Sequence, residues 1–232
     1  MARREESFTI EEHTRVRKAI GAHTLQSVNE IPQFHMRTLV DMEPLVAFRE
    51  GLKKTANPVP TYNDLCIKAV AVGLREHPRF NAWCEPEHLK VLDAVNVGFA
   101  VGTDQGVLLP TVRDADTKSL EEIAAETSEM VELARNGRLR ASLQMGAGFT
   151  ISNLGPIGID SFAPIISPPQ VAILGIGSIT QQPMVFDGEI AVHRAAQITL
   201  VMDHRVVDGA DGARFLATLK EIFTDPDRLA GE

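Results

Sequence analysis

A histidine set among acids and an arginine stands near the C-terminus, in the string Asp203-His204-Arg205-Val206-Val207-Asp208-Gly209. Imidazole titrates near neutrality, so a histidine presented at a turn can take a proton and return it. The string follows an apolar run (Ile198, Leu200, Val201, Met202) that reads as a buried strand, and precedes a stretch from Ala210 to Leu216 that reads as the start of a helix. Taken alone, a histidine beside charges more often sits at a surface than at a reaction. Asp208, followed by Gly209 and by Asp211 three residues on, reads as a helix N-cap. Asp203 and Arg205 read as an ion pair that fixes the turn carrying His204.

A second unusual passage runs Gly146-Ala147-Gly148-Phe149-Thr150-Ile151-Ser152-Asn153-Leu154-Gly155-Pro156-Ile157-Gly158. An alternating strand delivers hydroxyl and amide groups into a glycine-rich turn. There the backbone can approach a ligand, and the Ser152 hydroxyl can donate to a developing negative charge. A strand that merely ends in a turn would use the same residue types. The passage lacks the G-x-S-x-G pattern of a nucleophile elbow, so a nucleophilic serine is not indicated.

The rest of the chain must position these two passages. At 232 residues it can bury a substantial core. The formal net charge of −8 argues against general binding to nucleic acid or to a membrane surface. Cys66 and Cys84 cannot build a metal cage by themselves, and they read as reduced, buried thiols. The longest apolar runs, residues 95–101 and 171–176, fall far short of the ~20 residues that span a bilayer. Arg3-Arg4 is followed by two glutamates, which is no export signal, so the expected location is the cytoplasm, or the mitochondrial matrix in a eukaryote.

Apolar periodicity predicts helices over residues 12–29, 43–54, 62–76, 119–136 and 209–223. Ser119 with Glu122 fits a capping box, and Gly137 fits a C-terminal stop. Strands are predicted over 34–41, 89–92, 95–101, 107–112, 148–152 and 171–176. A hairpin over 185–201 is predicted to turn at Asp187-Gly188. Helices and strands are interspersed and hairpins are present. The expectation is therefore one α+β domain (residues 13–232) with a large mixed sheet, behind a flexible segment at residues 1–12.

The two passages together resemble the catalytic domain of the dihydrolipoyl acyltransferases, the core-forming components of 2-oxo acid dehydrogenase complexes. That family carries its active-site histidine in a D-H-R-x-x-D-G string and a facing serine in an F-T-I-S-N-L-G string; here those are His204 and Ser152. The likeness extends to Arg17-Lys18-Ala19-Ile20, Pro78-Arg79-Phe80-Asn81, residues 96–101 and 106–113, and Phe162-Ala163-Pro164-Ile165-Ile166, so it covers nearly the whole chain. The family usually has a histidine where this chain has Gln33 and a methionine where it has Thr24. Those departures bear on acyl preference and assembly, not on the chemistry.

The resemblance implies a two-layer α+β sandwich similar to chloramphenicol acetyltransferase, assembled as a homotrimer or a larger cage with the other components of the complex. It implies acyl transfer between a dihydrolipoyl arm and coenzyme A, which acts as a substrate, with no metal. His204 is the implied general base, Ser152 the implied oxyanion donor from a neighbouring subunit, and Asp208 an implied support for the histidine, with Arg17 a possible partner for it. No lysine lies in the D-K-A setting of a lipoyl domain, so the lipoyl group is expected from another domain or chain. The alternatives are a non-catalytic core subunit, or an acetyltransferase acting on a small hydroxyl or amine acceptor.

Overall fold

The computed structural model describes residues 9–186 and 188–230. Its elements, in chain order, are α1 (Arg15–Glu30), β1 (Gln33–Asp41), α2 (Glu43–Leu52), α3 (Tyr62–Glu76), β2 (Ala82–Cys84), β3 (Leu89–Val91), β4 (Val97–Phe99), β5 (Val101–Thr103), β6 (Gly106–Leu108), β7 (Thr111–Val112), α4 (Leu120–Arg135), β8 (Phe149–Asn153), β9 (Ala172–Ile176), β10 (Thr180–Phe186), β11 (Glu189–Asp203) and α5 (Gly209–Thr224). A seven-stranded sheet runs in the order β1-β11-β9-β8-β4-β7, with β10 also paired to β11. β8 lies parallel to both β4 and β9, while β11 is antiparallel to β1, β9 and β10. The sheet is therefore mixed, as expected.

Helices α3, α4 and α5 cover one face of this sheet. The alternation along β8 is what builds two layers. Phe149 and Ile151, both 0 % exposed, enter the core beneath the helices, while Thr150 and Ser152 point to the opposite face. Three of the covering helices begin with a reciprocal cap: Thr61 with Asp64, Ser119 with Glu122, and Asp208 with Asp211. Gly137 follows α4 with φ +66°, the left-handed conformation that ends a helix. α1 is different. Ser27 is its one buried residue, and the helix lies on the other side of the sheet, against β6 and residues 166–167.

Several strand expectations need correction. The run 95–101 divides at Ala100: β4 stays in the main sheet, whereas β5 leaves it to pair with β6 as a separate hairpin. The run 107–112 divides at Pro110, which has no N–H to give a ladder. The hairpin strand β10 begins at Thr180 rather than residue 185. β2, absent from the sequence reading, pairs with β3. Phe186 does pair with Glu189, and Gly188 has φ +87°, as a two-residue turn requires; Asp187 lies outside the described residues. Most of the proposed flexible segment, residues 1–8, also lies outside them. No helix among the described residues is long and apolar enough to cross a membrane.

Candidate active site

His204 is the first residue beyond β11, and local chemistry fixes the turn that presents it. The Asp203 carboxylate is 0 % exposed, and a charge so placed must be paired. Arg205 answers with a two-pronged contact, Nε to Oδ1 at 2.9 Å and Nη2 to Oδ2 at 2.6 Å, while its backbone N–H donates to the same Oδ1 at 3.0 Å. That last bond is the i to i+2 turn that aspartate favours. The Asp203 carbonyl accepts from Val206 N and Val207 N, and His204 N donates to the Pro32 carbonyl at 3.1 Å. The pair raises the pKa of Arg205 above its ordinary value. The architectural reading of Asp203 and Arg205 therefore agrees with the geometry.

The His204 side chain is exposed, with the Phe34 ring edge-on at 5.4 Å between centroids. Cys84, on β2, lies beside the Asp203–Arg205 pair. Burial pushes its thiol pKa up, opposed by the charge of Arg205 and reinforced by Asp203. Asp208 is the N-cap of α5. Its Oδ1 accepts from Ala210 N at 2.8 Å and Asp211 N at 3.0 Å, and these bonds hold its carboxyl below the ordinary carboxylate range. Among the described residues Asp208 forms no ion pair with Arg17, so that suggested contact is not made within one chain.

Ser152 lies elsewhere, half-buried in the wall of an open cleft of about 1030 Å³ on the sheet face away from the helices. Ile20 of α1, Leu108 of β6, Phe162 and Ile173 supply apolar wall. Among the described residues of the lining, Arg15 and His23, both on α1, are the ionisable side chains, and none is a carboxylate. The floor is rigid. Thr150 Oγ1 donates to Gln170 Oε1 at 2.8 Å, and Trp83 Nε1 donates to the Ala147 carbonyl at 2.8 Å. Glycines let segments close over one another here: a Cβ on Gly148 would stand 2.1 Å from Asn81 Oδ1, and one on Gly177 would stand 1.9 Å from the Asp160 carbonyl oxygen.

Within one chain the structure does not bring His204 and Ser152 together. Ser152, Gly175 and Thr199 form one row across the sheet, and His204 lies five positions beyond Thr199, past the end of β11. His204 does not line the cleft. Sequence reasoning also missed two contacts near these sites. Arg79 reaches the His204 turn from 127 positions away, and His23 Nε2 lies 3.0 Å from Ser167 Oγ at the cleft wall. The string Pro78-Arg79-Phe80-Asn81 stands out in the sequence, but spacing carries no signal of such a contact.

The helix-backed mixed sheet defines a fold class that includes chloramphenicol acetyltransferase. Chloramphenicol acetyltransferase itself superposes with a TM-score of 0.56 over 92% of this chain and 100% of that one, at 12% identity, a likeness of fold alone. Within that class, the chain belongs to the family of 2-oxoacid dehydrogenases acyltransferase (catalytic domain), whose profile matches residues 5–230. It is 34% identical over 230 residues to the dihydrolipoyllysine-residue acetyltransferase component of the pyruvate dehydrogenase complex of Rickettsia bellii, and 35% identical over 229 residues to that of Staphylococcus epidermidis. These alignments cover 97% of this chain but 55% and 53% of the relatives, so the chain spans about half the length of the curated relatives it matches.

Solved structures agree more fully in extent. A dihydrolipoamide acetyltransferase of Azotobacter vinelandii, investigated for the catalytic roles of a serine, a histidine and an asparagine, matches with a TM-score of 0.92 at 35% identity over 96% of this chain and 94% of that one. The cubic core of a pyruvate dehydrogenase multienzyme complex matches with a TM-score of 0.93 at 35% identity, over 97% and 95% of the two chains.

Proposed function

We propose that this domain transfers an acyl group between a dihydrolipoyl arm and coenzyme A by thioester exchange. His204 acts as general base, Ser152 as oxyanion donor, and Asp208 sets the histidine's helix. The observation that carries the reading is a spacing. In the Azotobacter vinelandii enzyme the investigated serine and histidine are 52 positions apart, and the asparagine follows the histidine by four. Ser152 and His204 are 52 apart here, and Asp208 follows His204 by four.

The chemistry follows from the groups. A free thiol ionises near pH ~8.5, so a base poised near neutrality is needed to make the coenzyme A thiolate. His204 takes that proton. The thiolate attacks the thioester carbonyl of the acyl-dihydrolipoyl arm, and the resulting tetrahedral oxyanion accepts a hydrogen bond from Ser152 Oγ. Collapse breaks the bond to the lipoyl sulfur, which takes its proton back from His204. One such oxyanion donor is worth about 3 kcal/mol of barrier. A cleft whose ionisable lining is Arg15 and His23, in a chain of net charge −8, suits a ligand that carries phosphates.

The reading includes a homotrimer, as a unit of a larger 2-oxo acid dehydrogenase complex, in which each site takes Ser152 from one copy and His204 from the next. Leu25, Val28, Val185, Ile190 and Val192 are all more than half exposed, apolar surface that another copy would cover. Residues 13–232 are the catalytic domain, working in the cytoplasm, and the lipoyl group comes from another domain or chain. The matched relatives are acetyltransferase components, so acetyl is the first acyl group to try, beside succinyl and isobutyryl.

The test is transfer between acyl-coenzyme A and dihydrolipoamide, with His204→Ala as control. Transfer well above the control supports the reading. None above it favours a non-catalytic core subunit, and transfer only to hydroxyl or amine acceptors favours a different acetyltransferase.

A further inference from the structure

The turn that carries His204 receives one side chain from a distant part of the chain. Arg79 Nη2 donates to the Val206 carbonyl at 2.7 Å. Among the described residues, no other side chain from outside residues 203–211 hydrogen-bonds a backbone atom of the segment 203–208. The entry to the turn is already pinned, by Asp203 N donating to the Val171 carbonyl and His204 N to the Pro32 carbonyl. Its far end is pinned by the Asp208 cap. Between the two, the Val206 carbonyl depends on Arg79.

Arg79 itself reaches out from a rigid base. It sits in a single 3-10 turn, Pro78–Phe80, wedged against α5. Just before it, a ring nitrogen of His77 lies 2.8 Å from Thr218 Oγ1 on α5. At its end the buried Phe80 ring stacks on Phe215 of α5, with centroids 4.5 Å apart and planes 13° from parallel. Just after it, Asn81 Nδ2 donates to the Leu92 and Ala94 carbonyls. Arg79 thus ties the turn before α5 to a frame that is itself locked onto α5.

We propose that Arg79 is a positioning residue for His204, fixing the exit of the turn and so the direction of the imidazole without touching substrate. The inference rests on the proposed role of His204 as the base. The hydrogen bond itself is exposed, so water replaces a lost donor to the Val206 carbonyl at little cost in stability. A displaced base is another matter, because a shift of about 1 Å in a reacting group can cost about 10²-fold in rate. A merely structural arginine would show the opposite balance.

The experiment compares Arg79→Ala and Arg79→Lys with wild type and His204→Ala in the acyl-transfer assay, with Tm and particle mass measured on each. Arg79→Ala is expected to lower kcat about ten-fold with KM for both thiol substrates and Tm nearly unchanged. Arg79→Lys is expected to recover part of the loss, since an ammonium can still donate to the carbonyl. A kcat for Arg79→Ala close to wild type, a loss confined to KM, or a lysine variant no better than alanine overturns the proposal. Should Arg79→Ala alter the particle mass, Arg79→Met replaces it, keeping the stem and losing the donor. Full activity in His204→Ala would instead overturn the reading of His204 itself. An inactive His204→Ala beside a fully active Arg79→Ala overturns only the positioning role.

Discussion

A single folded copy of this chain should be inactive however intact its residues, because of where its strands place them. Ser152 and Thr199 share a row two strands apart, and His204 lies five residues beyond Thr199. At about 3.4 Å per residue along a strand and about 4.8 Å between strands, the two backbones are about 17 Å apart lengthwise and about 10 Å sideways, about 20 Å in all. A serine and an imidazole side chain span only a fraction of that, while reacting atoms must close to about 3–3.5 Å. His204→Ala and Ser152→Ala subunits should each be nearly inactive alone. Refolded together in equal amounts, they should regain activity. A site built between neighbours needs its serine from one type and its histidine from the other, so random mixing leaves about one quarter of the sites intact. The assay is transfer between acyl-coenzyme A and dihydrolipoamide, on particles shown by mass spectrometry to contain both variants. Mixed particles no more active than their parents would refute the shared site.

Three further outcomes follow from the geometry. Asp208→Ala should lower Tm by a few degrees through loss of the α5 cap, whereas Asp208→Asn should hold both Tm and kcat near wild type; a large kcat loss in the asparagine variant would show that the charge itself acts on His204. Because its carboxyl is held below the ordinary range, the cap's contribution is present above that range and is lost as pH falls through the lowered value, which acid unfolding of Asp208→Asn against wild type would detect. Gly177→Ala should cost about 3 kcal/mol, since the new Cβ meets the Asp160 carbonyl rather than a side chain that can move; an unchanged Tm would contradict the close approach. Burial pushes the Cys66 thiol from an ordinary 9.0 up to about 12. The raised value favours the folded state fully below pH 9.0, so stability should fall above that pH by at most about 1.4 kcal/mol per pH unit as the unfolded thiol ionises. Cys66→Val should abolish that slope, and native Cys66 should resist thiol reagents that label it on unfolding.

Helix positions were legible because their signals are local. The apolar period of residues 62–76 and the Ser119/Glu122 box act within a turn or two of chain, and α3 and α4 fall where those patterns put them. Strands were less legible, because a strand is defined by its partners. Nothing in the run 95–101 says that β4 pairs with β8 while β5 departs toward α1, where Gly106 passes so close beneath Ile20 that a Cβ would lie 2.5 Å from its Cδ1. The polar start of β10, Thr180-Gln181-Gln182, has no buried face to produce an alternation, so the strand is visible only through its pairing with β11.

The sequence by itself determined the chemical inventory: a histidine in an Asp-His-Arg turn, a serine at the end of an alternating strand, and the caps that start the covering helices. These depend on residues a few positions apart, where side chain and backbone meet whatever the rest of the chain does. Only the tertiary structure decided that Ser152 faces a cleft which His204 does not line, that Arg79 reaches the His204 turn across 127 positions, and that Asp208 makes no ion pair with Arg17 in the same chain. Strand order and register set those distances, and they are fixed by which apolar faces bury one another across the whole sheet.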